Sequence, residues 1–320
     1  MTKRKSRDLG RLRDFVHARR LGQALDELGD MRVLDDEGRQ HPHHIVARRH
    51  REQAVLAEMI DEGAAVRLHL DAEHKPDATD AFEQMVVIGD HLFERAAITE
   101  HTAAILVEPV QGEGGVRAPS ADYLKGLRAI CDEFGLLLVY DEVQSGMGRT
   151  GRLFAHEWAG VAPDIMAVAK ALGNGFPIGA CLATEKAAGG MVAGTHGSTF
   201  GGNPMAVAAG NAVLDVMLEP GFFDSVNRTA KLLWGKLEGL VAAHPKLFVE
   251  VRGSGHLLGV RCRSNVTAGD FVTKLRAEGL ICLTAGDNVL RILPPLIVSE
   301  SEIDEGMAIL NKVAREWPQS

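Results

Sequence analysis

The segment Leu136–Glu142 reads LLLVYDE, a short apolar run that ends in two acidic residues. It follows Gly135 and has the length of a β-strand. A strand that is apolar on both faces is typical of a parallel sheet covered by helices on both sides. An acid at the end of a buried strand is costly unless a cation meets it. The segment therefore predicts a buried strand with a charged site at its carboxyl end.

The flanking sequence repeats this pattern of short apolar runs separated by helical segments. We predict three more strands, at Ala103–Pro109, Asp164–Ala169 and Ile178–Ala183, and a helix over Tyr123–Phe134. Strands that alternate with helices indicate an α/β fold with a mainly parallel sheet. Chemistry in such folds collects where the strands end.

The C-terminal third predicts a second domain. An apolar helix over Met205–Met217 leads into helices at Phe223–Ala243 and Glu300–Trp317, with a strand-rich segment over Phe248–Arg263 between them. We therefore divide the chain into an N-terminal segment (1–80), a large domain (81–205) and a smaller C-terminal domain (206–320).

The N-terminal segment differs from the rest in being rich in Arg and His. Helices are predicted at Phe15–Leu28 and Arg51–Asp61, and a strand at Ala65–Leu70. No metal site is expected at its four clustered histidines, because no Cys or acidic residue lies at ligand spacing. These are His41, His43, His44 and His50.

The composition argues against several classes of function and location. The 320 residues carry a net charge of −8, which argues against a nucleic-acid partner. No apolar run reaches the roughly 18 residues of a membrane span, and no secretory signal is recognisable, so we expect neither a membrane partner nor export. The four cysteines are scattered without CxxC spacing, as in a protein of the reducing cytoplasm.

Two residues at predicted strand ends suggest a cofactor. Asp141 is either a capping or ion-paired structural acid or a carboxylate that faces a protonated pyridine nitrogen. Lys170, in DIMAVAKALGNGFPIGA, is either a surface lysine or a Schiff-base lysine activated by desolvation and nearby cations. Together, at the ends of separate strands that glycine-rich loops follow, they make a stronger signal than either residue alone.

Five stretches, in this order, resemble the signatures of class III aminotransferases, which use pyridoxal 5′-phosphate (PLP). They are VEPVQGEGGV, VYDEVQSGMGRTG, DIMAVAKALGNGFPIGA, HGSTFGGNPMA and NVLRILPPL. The resemblance is strongest to the acetylornithine type, followed by the ornithine type, and runs from about Phe82 to about Val313. It implies the type I PLP-transferase fold, with an incomplete large domain and an α+β small domain.

The resemblance also implies roles for individual residues. Lys170 would form the Schiff base with PLP and then move a proton, and Asp141 would pair with the pyridine nitrogen. Val143 would pack on the ring, and Gln144 would bind its phenolic oxygen. Ser198 and Thr199 would also bind the cofactor, with Thr199 reaching the phosphate in a neighbouring subunit; a homodimer is therefore implied.

Two further residues are implied in substrate binding. Arg291 resembles the arginine that binds the substrate α-carboxylate, for which its two-pronged guanidinium is suited. Glu113 resembles the acid that pairs with this arginine and swings aside, so that one site accepts two amino donors.

The implied reaction moves the terminal amino group of N-acetylornithine to 2-oxoglutarate, in arginine biosynthesis. Ornithine and succinyl-diaminopimelate are alternative donors. Two family motifs, S-G-[TA]-E-A for the cofactor phosphate and F-H-G-R-T for ring stacking, do not occur in residues 1–80. A non-catalytic chain is therefore the alternative from another class, and a frame disruption or gene fusion would explain the N-terminal segment.

Overall fold

A computed structural model describes the backbone of residues 31–33 and the whole of residues 98, 102–191 and 197–318. The elements predicted at Phe15–Leu28, Arg51–Asp61 and Ala65–Leu70 lie outside the described residues, as do the four clustered histidines.

The first of two β-sheets in the described residues has five strands. Its strands are β1 (Met31–Val33), β2 (Ala104–Val107), β3 (Leu137–Asp141), β4 (Ile165–Val168) and β5 (Ala180–Thr184), in the order β1-β5-β4-β3-β2. The pairs β2–β3 and β3–β4 are parallel, whereas β5 runs antiparallel to both of its neighbours. Four strands therefore share one direction, which confirms the predicted α/β fold with a mainly parallel sheet.

The register of the three parallel strands brings their carboxyl ends to one edge of the sheet. Val107 lies opposite Tyr140, and Asp141 lies opposite Ala167. Residues that follow β2, β3 and β4 are therefore neighbours in space.

Local signals set the limits of the helices around this sheet. The helix α1 (Ala121–Phe134) begins at Ser120, whose hydroxyl accepts a hydrogen bond from the Tyr123 amide, and ends at Gly135 in the left-handed conformation. A short helix, α2 (Glu185–Ala188), follows β5. The next helix, α3 (Pro204–Met217), has Asn203 as its N-cap and proline in its first position.

The C-terminal part is built on an antiparallel sheet. Its strands are β6 (Phe248–Ser254), β7 (Leu257–Cys262), β8 (Leu283–Ala285) and β9 (Val289–Ile292), in the order β6-β7-β9-β8. Three helices belong to this part, namely α4 (Phe222–Ala243), α5 (Ala268–Ala277) and α6 (Glu300–Arg315).

Each sheet has its own hydrophobic core, and a smaller cluster joins them. The joining cluster contains Val110 and Val116 from the segment after β2, and Leu257 and Val289 from the antiparallel sheet. Both valines after β2 are at most 5% exposed, so this segment packs on the second sheet.

Within the described residues, no single helix combines the length and hydrophobicity needed to cross a membrane; only α3 and α4 taken together meet that test, and they are bent by 75° relative to each other.

Candidate active site

Three charged residues follow the three parallel strands. Glu108 comes directly after β2, Asp141 is the last residue of β3, and Lys170 follows β4 after one intervening residue. The Asp141 carboxylate raises the pKa of Glu108, and the Lys170 ammonium lowers it. Because β2, β3 and β4 are adjacent and parallel, the three charged residues lie at the same edge of the sheet and form one charged site.

Asp141 is held at the end of β3 and is only 6% exposed. Its Oδ1 atom accepts a hydrogen bond of 2.9 Å from the Val143 amide. This bond fixes the direction of the carboxylate, and Val143 itself is buried beside it. A buried, oriented carboxylate favours a cationic partner such as a protonated pyridine nitrogen.

Glu142, the next residue, points away into the interior and organises the following loop. Its side chain accepts hydrogen bonds from the Ser145 hydroxyl (2.6 Å), the Ala155 amide (3.1 Å) and the His156 amide (2.9 Å). Of the two acids, Glu142 is thus structural, and the loop that it fixes carries Val143 and Gln144.

Lys170 occupies a backbone conformation that is rare for a lysine. Its φ angle is +48°, and it begins the 3-10 turn Lys170–Leu172. Non-glycine residues in this region carry strain of about 1–3 kcal/mol and cluster at functional sites. The side chain is exposed, as access to a ligand requires.

Glu108 was not singled out in the sequence, although its pKa lies well above the ordinary value. Burial, together with the Asp141 and Glu113 charges, raises its pKa to about 7, against the opposing effects of Lys170 and a hydrogen bond from the Gly112 amide. The signal was available, because VEP places Glu108 at a strand end in the same way that LLLVYDE places Asp141.

A second group of side chains joins residues that are far apart in the sequence. Gln144 Nε2 donates to Glu113 Oε1 (3.0 Å), and Arg291 Nη1 donates to Gln144 Oε1 (3.0 Å) and to Glu113 Oε1. Burial opposes ionisation of Glu113, but the hydrogen bond and charge of Arg291 lower its pKa overall. The structure therefore brings together three of the residues predicted to bind cofactor or substrate.

Arg291 lies in β9, opposite Gly259 of β7, and is 7% exposed. Its Nε atom is buried and has no hydrogen-bond partner in the described part of the chain. A buried donor of this kind is costly unless a ligand satisfies it. A carboxylate, which accepts two parallel hydrogen bonds from a guanidinium, has the matching geometry.

Ser198 and Thr199 lie in the loop before α3. Ser198 is half-buried and Thr199 is exposed. Their predicted contacts with the cofactor remain predictions, as does the contact of Gln144 with the ring oxygen. Among the described residues, no group of three or more His, Cys, Asp or Glu side chains is arranged to hold a metal ion.

Comparison with known proteins places this geometry in a family. The family model described as aminotransferase class-III matches residues 53–314, and so begins upstream of the quoted motifs. Acetylornithine aminotransferase 1 of Bradyrhizobium diazoefficiens is 57% identical over 233 residues, which cover 73% of this chain and 57% of that relative. Acetylornithine aminotransferase of Rhodobacter capsulatus is 55% identical over 226 residues, covering 71% of this chain and 57% of the relative.

Solved structures agree with the sequence relatives. N-acetylornithine aminotransferase from Stenotrophomonas maltophilia has a TM-score of 0.65 and 37% identity, covering 72% of this chain and 61% of that one. Ornithine delta-aminotransferase of Plasmodium falciparum has a TM-score of 0.66 and 31% identity, and the match covers 71% of this chain and 58% of that one. The chain spans 57% of the length of each of the two curated relatives named above. By the match over residues 53–314, this chain belongs to the class-III aminotransferase family.

Proposed function

We propose that this protein transfers the terminal amino group of N-acetylornithine to 2-oxoglutarate, with PLP as cofactor and glutamate as the second product. The observation that carries the proposal is the joint placement of Asp141 and Lys170 at adjacent parallel strand ends, next to the Glu113–Gln144–Arg291 group. The donor follows the names of four acetylornithine aminotransferases that are 53–57% identical to this chain over the matched residues.

The residues of this chain fit PLP at its ring and its carbonyl carbon. Asp141 would hold the pyridine nitrogen in its protonated state, because a buried carboxylate favours a nearby positive charge. Val143 would lie against the ring, and Lys170 would bind the carbonyl carbon and then move a proton to and from the substrate. PLP, when bound, supplies an electron sink for the negative charge that develops when the substrate loses that proton.

Arg291 would select the substrate carboxylate, and Glu113 would decide when Arg291 is available. With Glu113 in place, as the structure has it, the arginine charge is neutralised, which suits a donor that presents no carboxylate there. With Glu113 displaced, Arg291 would bind the α-carboxylate of glutamate through two hydrogen bonds. One site would thereby serve both halves of the reaction.

The assembly and the pathway are part of the same proposal. A homodimer would let Thr199 complete the cofactor site of a neighbouring subunit. We place the enzyme in the cytoplasm, in arginine biosynthesis, and the four free cysteines fit a reducing compartment.

The test combines PLP titration of the 320-residue chain, followed by absorbance, with assays of amino transfer from N-acetylornithine, ornithine and succinyl-diaminopimelate to 2-oxoglutarate. We expect saturable PLP binding and the highest kcat/KM for N-acetylornithine. A chain that binds no PLP and transfers no amino group from any donor would instead support the non-catalytic alternative.

A further inference from the structure

The loop that carries Glu113 is closed on itself and attached at both sides. Gln111 and Arg117 exchange two backbone hydrogen bonds of 2.9 Å, which close residues 111–117 into a loop with Glu113 near its tip. We call these residues the Glu113 loop. On the side of the first sheet, the Gly112 amide donates to the Glu108 carboxylate at 2.8 Å.

On the other side, the loop rests on the turn between β8 and β9. The Gly286 amide donates a hydrogen bond of 2.7 Å to the carbonyl oxygen of Glu113 itself. The two backbones are so close that a Cβ atom on Gly286 would lie 2.9 Å from that oxygen. Glu113 is therefore positioned directly by the turn that precedes the strand of Arg291.

Charged side chains reinforce this contact around Asp287, which follows Gly286. Asp287 Oδ2 lies 2.8 Å from Arg117 and 2.7 Å from Arg252, and its Oδ1 lies 3.4 Å from Arg261. Glu250 pairs with Arg252 at 2.7 Å and with Arg261 at 3.8 Å. We call these five residues the Asp287 cluster.

The members of the Asp287 cluster differ in what they attach. Arg117 belongs to the Glu113 loop, and Arg252 Nη1 lies 3.5 Å from the carbonyl oxygen of Gly115 in the same loop. Arg261 lies in β7 and pairs with Glu250 and Asp287, neither of which belongs to the loop. Within the cluster, the Arg117–Asp287 ion pair therefore joins the loop directly to the β8–β9 turn, and Arg252 joins them through its contacts with Asp287 and the Gly115 carbonyl.

We propose that Asp287, through its ion pair with Arg117, is a positioning residue that holds Glu113 over Arg291 and so sets the balance between the two amino donors. This inference rests on the proposed alternation of Glu113. Loosening the Arg117–Asp287 pair frees the loop to move away from Arg291. The site then shifts towards a donor with an α-carboxylate, such as glutamate, and away from N-acetylornithine.

The first experiment measures the accessibility of Arg291 without substrate or cofactor. Phenylglyoxal, which reacts with exposed guanidinium groups, is applied to the full chain, and the rate of modification at Arg291 is followed by peptide mass spectrometry. Arg117→Met is compared with Arg261→Met, which removes an arginine from the same cluster but not from the loop. Glu113→Ala, which removes the side chain that accepts from Arg291, gives the reference rate for an uncovered Arg291.

We expect modification of Arg291 in Arg117→Met to be about fivefold faster than in the wild type, the factor that corresponds to loss of an exposed ion pair. Arg261→Met should react at the wild-type rate, and Arg117→Lys, which keeps the charge, should restore slow modification. Equal rates in Arg117→Met and Arg261→Met would overturn the inference. Melting temperatures of all variants separate a local opening from general unfolding.

The second experiment measures the two half-reactions separately with PLP bound. Arg117→Met should raise the ratio of kcat/KM for glutamate to that for N-acetylornithine, whereas Arg261→Met should leave the ratio unchanged. An unchanged ratio in Arg117→Met would refute the link to donor choice. Because the accessibility measurement needs no turnover, faster modification in a chain that transfers no amino group would contradict the proposed function alone.

Discussion

Arg291 donates a hydrogen bond to the carboxylate of Glu113, although 178 positions separate the two residues in the sequence. The first lies in the antiparallel sheet and the second in the loop after β2. Gln144, from the loop after β3, donates to the same carboxylate oxygen of Glu113 at 3.0 Å. The candidate substrate site is therefore formed where the two sheets meet.

Replacement of Lys170 tests the predicted attachment of the cofactor. Borohydride reduction in the presence of PLP should fix the cofactor on Lys170, and Lys170→Ala should abolish both the adduct and the absorbance of bound PLP. The readout is peptide mapping, with Lys186→Ala as a control from the exposed face of α2. An adduct on any other lysine would refute the assignment.

The positive φ angle of Lys170 predicts an unusual order of stabilities. Glycine has no Cβ, so Lys170→Gly relieves the strain and should be more stable than Lys170→Ala by up to about 1 kcal/mol. At Lys186, which is helical, the order should be reversed. Urea unfolding of the four variants measures the differences; Lys170→Ala as the more stable of its pair would show that the strain is not present.

Asp141→Asn removes the charge expected to keep the pyridine nitrogen protonated. A charged hydrogen bond contributes about 1.5–3 kcal/mol, so the rate of proton removal from the substrate should fall at least about tenfold. We expect a smaller loss of PLP affinity, because Val143 and Lys170 remain. Single-turnover absorbance and PLP titration measure the two effects, with Asp122→Asn on the exposed start of α1 as control. Near-normal turnover would exclude the proposed role.

Arg291→Lys keeps a positive charge but loses the two-pronged contact with a carboxylate. We expect the KM for glutamate to rise about tenfold to a hundredfold, as for loss of a charged hydrogen bond. The KM for N-acetylornithine should change less, because Glu113 would cover Arg291 when that donor binds. Arg261→Lys on the neighbouring strand is the control. Unchanged glutamate kinetics would mean that Arg291 does not bind this substrate.

The raised pKa of Glu108 predicts that the free energy of unfolding depends on pH. Its folded pKa of about 7 lies above the ordinary value of 4.5, so the folded state binds the proton more tightly than the unfolded state. Glu108 therefore lowers the free energy of unfolding as pH rises from about 4.5 to 7, by up to about 3 kcal/mol. In Glu108→Gln this loss is absent, and the amide oxygen can still accept from Gly112.

The measurement is the melting temperature of Glu108→Gln relative to the wild type. The melting temperature of Glu108→Gln minus that of the wild type should increase between pH 5 and pH 8. Glu238→Gln, at an exposed position of α4, should show no such shift. A constant difference for Glu108→Gln across this range would contradict the raised pKa.

The family, most of the strands and helices, and two of the three charged strand ends could be predicted from the sequence, because each depends on local chemistry. An apolar run such as LLLVYDE forms a buried strand wherever the sheet lies, and Ser120, Gly135 and Asn203 set helix limits through backbone groups within a few residues. The resemblance to class III aminotransferases added the expectation for Arg291 and Glu113, which no local pattern indicates.

Other features depend on the packing of distant segments. The direction of β5 and the pairing of β1 were not predicted, because strand direction depends on how the chain crosses between strands. Asp141 and Glu142 are adjacent and chemically similar, yet only the tertiary structure separates them. The Asp141 carboxylate stays at the strand end, while that of Glu142 is buried against the Ala155 and His156 amides.

By itself, the sequence determined most of the strands and helices and the residue types available for chemistry at their ends, since these follow from periodicity and capping within short windows. Only the tertiary structure decided that the charges of Asp141 and Lys170 act on the Glu108 carboxyl group. It also decided that the Asp287 cluster ties the Glu113 loop to the turn before Arg291. The physical reason is that these features depend on distance in space and not on distance along the sequence. Burial and charge interactions extend over several ångströms in space, and residues 117 and 287 become neighbours only when the two sheets pack together.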